Sequence, residues 1–267
     1  MRSFLLKFSG KFQVTFIVVA TIVIAFIAAF ICKQFFDVHQ LKDNTDLISS
    51  VYQVMGTVYA ILLTFTLWGV WQNYSEADAA VQKEAYALLD LVYTVEASPR
   101  WKEFNIRDVA LAYSEKVIEQ EWLTLRDTTS STINDHEQNY SNSIKIVHAI
   151  QHIIPAGERE AVIFSQAMTL INHWLDARRT RLLIARGNTA KALWPVLFTG
   201  AFVLFAFHGL FVAQTLGIWL ILLGGFSLVI GLVFYLIFTL DCPFSGFPSV
   251  DSEPFSLAIL LLKQKNR

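Results

Sequence analysis

His148 and His152 stand four residues apart, a spacing that on a helix puts both imidazoles on one face, within reach of a single metal ion. A helical di-iron centre would also want a carboxylate three residues ahead of a histidine, and none of the six histidines has one. The pair therefore reads as ordinary surface or interhelical histidines. Cys32 and Cys242 make no metal or disulfide framework, and HExxH, P-loop and nucleophile-elbow patterns are missing. No catalytic constellation, metal or cofactor is expected, and the chain does not read as an enzyme. Two further patterns carry chemistry of another kind. Arg178, Arg179, Arg181 and Arg186 lie together with no acid among them, suited to an anionic lipid headgroup or to raising anion concentration at a pore mouth. The plainer account is that they set membrane topology. Ser49, Gln53, Gly56, Ala60 and Thr64 form a small, partly polar stripe at three- and four-residue steps, able to line a water path or to pack against another helix.

These residues sit on apolar elements. The chain is 54% hydrophobic and 16% charged, against about 25% charged in a typical soluble domain. Its net charge of −1 gives no reason to expect a nucleic-acid partner. Residues 47–71 carry no charge and are long enough to cross a bilayer core of about 30 Å. The same helix then continues through Gln72, Asn73 and Tyr74 into a polar stretch without Pro or Gly. There Val81, Ala85, Leu88, Val92 and Val95 keep one face apolar. A first span is expected at residues 12–31, too long an apolar run for a cleaved signal peptide. A third is expected at 193–212 and a fourth at 217–240. In the fourth, Gly217, Gly224 and Gly231 form a seam for close packing, more simply within one subunit than between two.

The polar region reads as helical throughout. Its first helix should end near Pro99. A second, at about 105–126, is expected to turn Val109, Ala112, Tyr113 and Val117 to one face. A polar loop at 127–135 precedes a third helix at about 137–154. A fourth begins near Glu158 with Ile163, Ala167, Leu170, Trp174 and Ala177 at helical spacing. His208 is an ionisable residue within a span, close enough to its end to read as interfacial. No Asp, Glu, Lys or Arg lies inside any expected span, which disfavours a proton-coupled pump and suits a passive pore built from apolar side chains.

The fold expected is all-α: four transmembrane helices with a helical cytoplasmic bundle inserted between spans two and three. Residues 1–74 form the first membrane part, 75–191 the bundle, 192–240 the second membrane part and 241–267 a cytoplasmic tail. Basic residues near the span ends place both termini in the cytoplasm. Cys32 and Cys242 then lie on opposite sides of the bilayer.

Three stretches resemble the bestrophin-like family of bacterial membrane proteins. They are Trp71-Gln72-Asn73-Tyr74 running into Val81-Gln82-Lys83-Glu84-Ala85, then Glu121-Trp122, and Asp241-Cys242-Pro243-Phe244-Ser245-Gly246 followed by Asp251-Ser252-Glu253-Pro254-Phe255. The resemblance implies a homo-oligomer in a bacterial inner membrane, distantly similar to bestrophin anion channels, whose second span lines the pore. Ile61, Phe65 and Trp68 would then be the constriction. Where true bestrophins bind calcium with a run of acids, this chain has only Asp251 and Glu253, so calcium gating is not implied. The expected function is a passive, anion-conducting channel. The competing expectation is a non-conducting scaffold or sensor whose helical domain recruits a cytoplasmic protein partner.

Overall fold

The computed structural model describes residues 10–35, 44–126, 143–186, 192–211, 215–245 and 247–264. Among them every regular element is helical: α1 (Gly10–Gln34), α2 (Thr45–Glu96), a 3-10 helix (Pro99–Phe104), α3 (Ile106–Lys116), a π turn (Val117–Glu121), α4 (Trp122–Arg126), α5 (residues 143–151), α6 (Glu158–Arg186), α7 (Trp194–His208), α8 (Leu216–Leu240) and α9 (Glu253–Gln264). The chain forms two compact units. One holds residues 1–73, 188–242 and 246–248, and the other holds residues 74–187, 243–245 and 249–267.

In the first unit α1 packs against both α7 and α8. Small residues make that approach close: Ala25, Ala28 and Ala29 are buried on α1. A methyl group at Gly231 would stand 3.1 Å from Val18 Cα, so the expected glycine seam is used there, within the chain. Gly217 and Gly224 face open space. Gly209 is tighter still, since a Cβ there would run into the Ala29 carbonyl oxygen. Gly209→Ala must therefore push two backbones apart. We expect it to lower the thermal midpoint by at least about 3 °C, whereas Gly224→Ala should leave it within about 1 °C. Equal midpoints for the two variants would contradict the packing.

α1, α2 and α8 are long and apolar enough to cross a membrane. At about 1.5 Å per residue the 25 residues of α1 or α8 reach nearly 38 Å. α7 is shorter than expected, with 15 residues. Its last turns tighten, as Gly209, Leu210 and Phe211 donate to Ala206, Phe207 and His208 three residues back rather than four.

In the second unit the apolar stripe of α2 behaves as expected: Val81, Ala85, Leu88, Val92 and Val95 are all buried. α2 stops at Glu96, just before Pro99. Asn105, at φ 48°, makes the left-handed corner into α3, a conformation asparagine tolerates. The core face of α3 differs from the expectation. Ile106, Ala110, Tyr113, Ser114 and Val117 point inward, Ala112 is exposed and Val109 is only half-buried. Of the expected third helix the described part is residues 143–151, with Ile146 and Ile150 buried; the polar loop at 127–135 lies outside the described residues. On α6, Ala167, Trp174 and Ala177 are buried as expected.

The tail holds an element not foreseen. α9 turns Phe255, Ala258 and Leu262 into the core. It is fastened by Arg107, whose Nη1 donates to the Leu262 carbonyl at 2.8 Å while its Nε donates to Glu96 at 2.6 Å. Lys263 pairs with Glu115 at 2.9 Å.

Candidate functional site: a buried charge cluster and an exposed helix face

Two core stripes in the second unit are interrupted by charge. Glu84 falls among Val81, Ala85 and Leu88 on α2, and Arg178 and Arg181 follow Ala167, Ile171 and Trp174 on α6 at the same three- and four-residue steps. Helical periodicity thus forces all three inward, where an unpaired charge would cost several kcal/mol. They find one another. Arg181 Nε and Nη2 donate to Glu84 at 2.6 and 3.0 Å, and Nη2 also reaches Glu121 at 2.8 Å. Arg178 Nη2 and Nη1 donate to Glu121 at 2.8 and 3.2 Å. Tyr113 bridges the two halves, its hydroxyl donating to Glu84 and accepting from Arg178. Two carboxylates balance two guanidiniums, and Glu84 and Arg181 are wholly removed from solvent.

The π turn delivers the second carboxylate. The Trp122 amide donates to the Val117 carbonyl five residues back, and both Glu121 and Trp122 end up buried. The Arg181 guanidinium lies over the rings of Trp122 and Phe255, 5.8 Å from each centroid. Its Nη1 makes no hydrogen bond, so those π faces are its remaining partners. Trp122 also packs edge-on against Phe244 at 5.7 Å, and Ser245 donates to the Arg126 carbonyl at 2.8 Å.

The electrostatics follow from this arrangement. Burial by itself raises the Glu121 carboxyl, but Arg181 and Arg178 overcome that and hold it below the ordinary carboxylate range. Burial works against the Arg181 charge, and Glu84 and Glu121 reverse the effect, pushing it well above its usual value. For Tyr113, burial and then Glu84 drive the phenol up, so it stays a neutral donor. The cluster is thus fixed as two ion pairs with a hydroxyl between them. It has the chemistry of a structural clamp rather than of a proton carrier.

The clamp bears on the arginines singled out in the sequence. Arg178 and Arg181 are buried and spent on Glu84 and Glu121, while Arg179 is exposed beside Asp176 at 3.2 Å. The side chain of Arg186 lies outside the described residues. Sequence reasoning passed over Glu84, Tyr113 and Glu121 as functional positions. The signal that could have found them was a charged residue on a core-facing stripe, since buried charges come in pairs.

The other sequence-selected residues lie on the part of α2 in the first unit. That helix is seated through Tyr52, Tyr59, Thr66 and Val70. Tyr59 lies across Gly200, where a Cβ would meet its ring at 2.6 Å, and donates its hydroxyl to the Leu197 carbonyl at 2.8 Å. Beside this seat, Gln53, Ala60 and Thr64 are exposed and Ser49 and Gly56 half-buried. The hydroxyls turn back onto the helix, Ser49 to the Asp46 carbonyl and Thr64 to that of Ala60. Ile61, Phe65 and Trp68 occupy the side away from the seat, with Phe65 72% exposed. His148 and His152 are exposed, their rings stacked 6.4 Å apart, and no group of three metal-ligating side chains occurs among the described residues.

A chain whose described elements are all helical, three of them long and apolar enough to cross a bilayer, has the build of a membrane protein. A family model described as the bestrophin-like domain matches residues 19–255, and the chain belongs to that family. A solved crystal structure, described as that of a membrane protein, is similar in fold at a TM-score of 0.60 and 14% identity. The alignment covers 94% of this chain and 96% of that one. No curated protein matches. Each stretch that carried the family resemblance sends a residue to the second unit's cluster: Glu84, Glu121, Trp122, Phe244 and Phe255 all belong to it or touch it.

Proposed function

We infer that the protein is a passive ion channel in which α2 helices from several copies enclose a symmetric pore. The observation that supports this most is the face of α2 itself. Ile61, Phe65 and Trp68 form an exposed apolar row on a helix seated only along its opposite side. Such a row, repeated around an axis, makes a constriction that gates by wetting. Ser49, Gln53, Gly56, Ala60 and Thr64 flank it and line the wider path. In this reading the chain crosses a bacterial inner membrane four times, with α7 as the short third span, and the basic residues near the span ends favour a cytoplasmic helical unit and cytoplasmic termini. The family likeness is what supports anion selectivity; Arg178 and Arg181 do not supply it, since their charge is cancelled. Arg179 and Arg186 remain for lipid headgroups or anions.

The test is ion flux across liposomes containing the purified protein, with chloride and potassium gradients imposed separately. Chloride flux is the expected result. Potassium flux alone would keep the pore and overturn the selectivity. Monomeric or dimeric protein in mild detergent, with no flux, would favour a scaffold whose helical unit recruits a partner. Val162 and Leu183, exposed on α6, would be the contact points for such a partner.

A further inference from the structure

His208 ends α7 in a box of aromatic rings, and its environment is built for a neutral ring. It is buried within the first unit. Phe226 stacks parallel to it at 6.4 Å, Phe211 lies at 5.7 Å, Trp219 at 6.2 Å, and Tyr52 of α2 meets it edge-on at 6.0 Å. The Tyr52 hydroxyl and His208 Nδ1 are 3.4 Å apart, while Nε2 has no hydrogen-bond partner. Tyr52 also packs on Phe211 at 5.1 Å and on Phe226 at 6.1 Å, so this box is one of the seats that hold α2 against the helices behind it.

A second proton changes each of these relations in the same direction. In the tautomer whose Nδ1 accepts from Tyr52, the added proton removes that acceptor and Tyr52 must turn its own hydrogen elsewhere. The partnerless Nε2 becomes part of a buried cation with no acceptor on that side. Aromatic faces would ordinarily help a cation. The best of them is taken, because Lys33 Nζ already sits over the Trp219 ring at 5.3 Å and adds a like charge nearby. Among the described residues, no acid answers it from the elements packed around the ring. α7 carries no other titratable residue, α8 has only Tyr235 in its far half, α1 brings Cys32 and Lys33 with Lys11 at its other end, and the first-unit part of α2 brings Tyr52 and Tyr59 with Asp46 back in its first turn.

We propose that His208 is an acid sensor: protonation of its imidazole unseats Tyr52 and loosens the hold of α7 and α8 on the first turns of α2. The device does not depend on conduction. If α2 also lines a pore, the same event makes the pore acid-responsive.

The test uses the full chain in detergent micelles, with the thermal midpoint read between about pH 8 and pH 5, the range in which histidine titrates. His208→Gln keeps a hydrogen-bonding group beside Tyr52 and cannot titrate. The wild type is expected to lose about 3–6 °C more on acidification than this variant. Histidine-selective carbon-13 spectra should show one ring, missing in His208→Gln, gaining its proton in that interval. Equal acid losses in both proteins, or a His208 ring still neutral at the acid end, would overturn the proposal. If His208→Gln does not fold, Tyr52→Phe identifies the same ring by its displaced signal. Neither readout involves ion flux, so a silent channel would leave the outcome readable.

Discussion

Glu84→Ala will destabilise the protein by about 3–5 kcal/mol, the usual consequence of leaving a buried arginine without its carboxylate. Arg181 is fully buried and gives Glu84 two of its hydrogen bonds, so it has nowhere to turn for solvent. For a domain of roughly this size the loss corresponds to a midpoint lower by about 10 °C. Glu84→Gln should suffer less, because it keeps an acceptor for the Tyr113 hydroxyl. Replacing all four charges together, Glu84 and Glu121 by Leu and Arg178 and Arg181 by Met, should cost less than Glu84→Ala alone. Thermal unfolding of the purified variants decides it. A Glu84→Ala midpoint within about 2 °C of wild type would mean that the ion pairs are not what holds α2 to α6.

Phe65→Ala should raise ion flux through reconstituted protein severalfold, and through a closed wild type it should open a leak. The reason lies in the proposed place of Phe65 at a pore constriction: a bulky apolar ring repeated around such a pore would keep water out, and a methyl group would not. Phe65 is 72% exposed within one chain, so its removal leaves no cavity in the fold, and the variant should stay as stable as the parent. Unchanged flux in correctly assembled protein would remove Phe65 from the permeation path.

Helical periodicity made much of the architecture legible. The stripe from Val81 to Val95 and the run through Ala167 and Trp174 on α6 both lie in the core, because a 3.6-residue repeat leaves an amphipathic helix one face to bury. α3 sits part of a turn away from its expected register, with Ala112 outside, because alanine is apolar enough to score on either face. α9 escaped notice because Glu253–Gln264 is short and follows a motif rich in Pro and Gly, yet Phe255 is wholly buried. The site was legible in fragments only. Arg178 and Arg181 read as free surface charge because their partners, Glu84 and Glu121, are far away in sequence. Pairing across 97 residues, from Glu84 to Arg181, is a property of packing and not of spacing. The exposed row on α2 could be drawn from the sequence, but its exposure could not.

The π turn at Val117–Glu121 means that α3 and α4 are threads of one screw cut out of phase. An ordinary α-helix through the same residues, with none removed, would rotate everything beyond it by about 100°. The joint entry of Glu121 and Trp122 into the cluster therefore rests on the widened turn, which absorbs one residue beyond the α count. Glu119 and Gln120, both exposed on that turn, are free to vary in kind. Losing either one would let the turn close as ordinary α-helix, with Glu121 still facing the arginines.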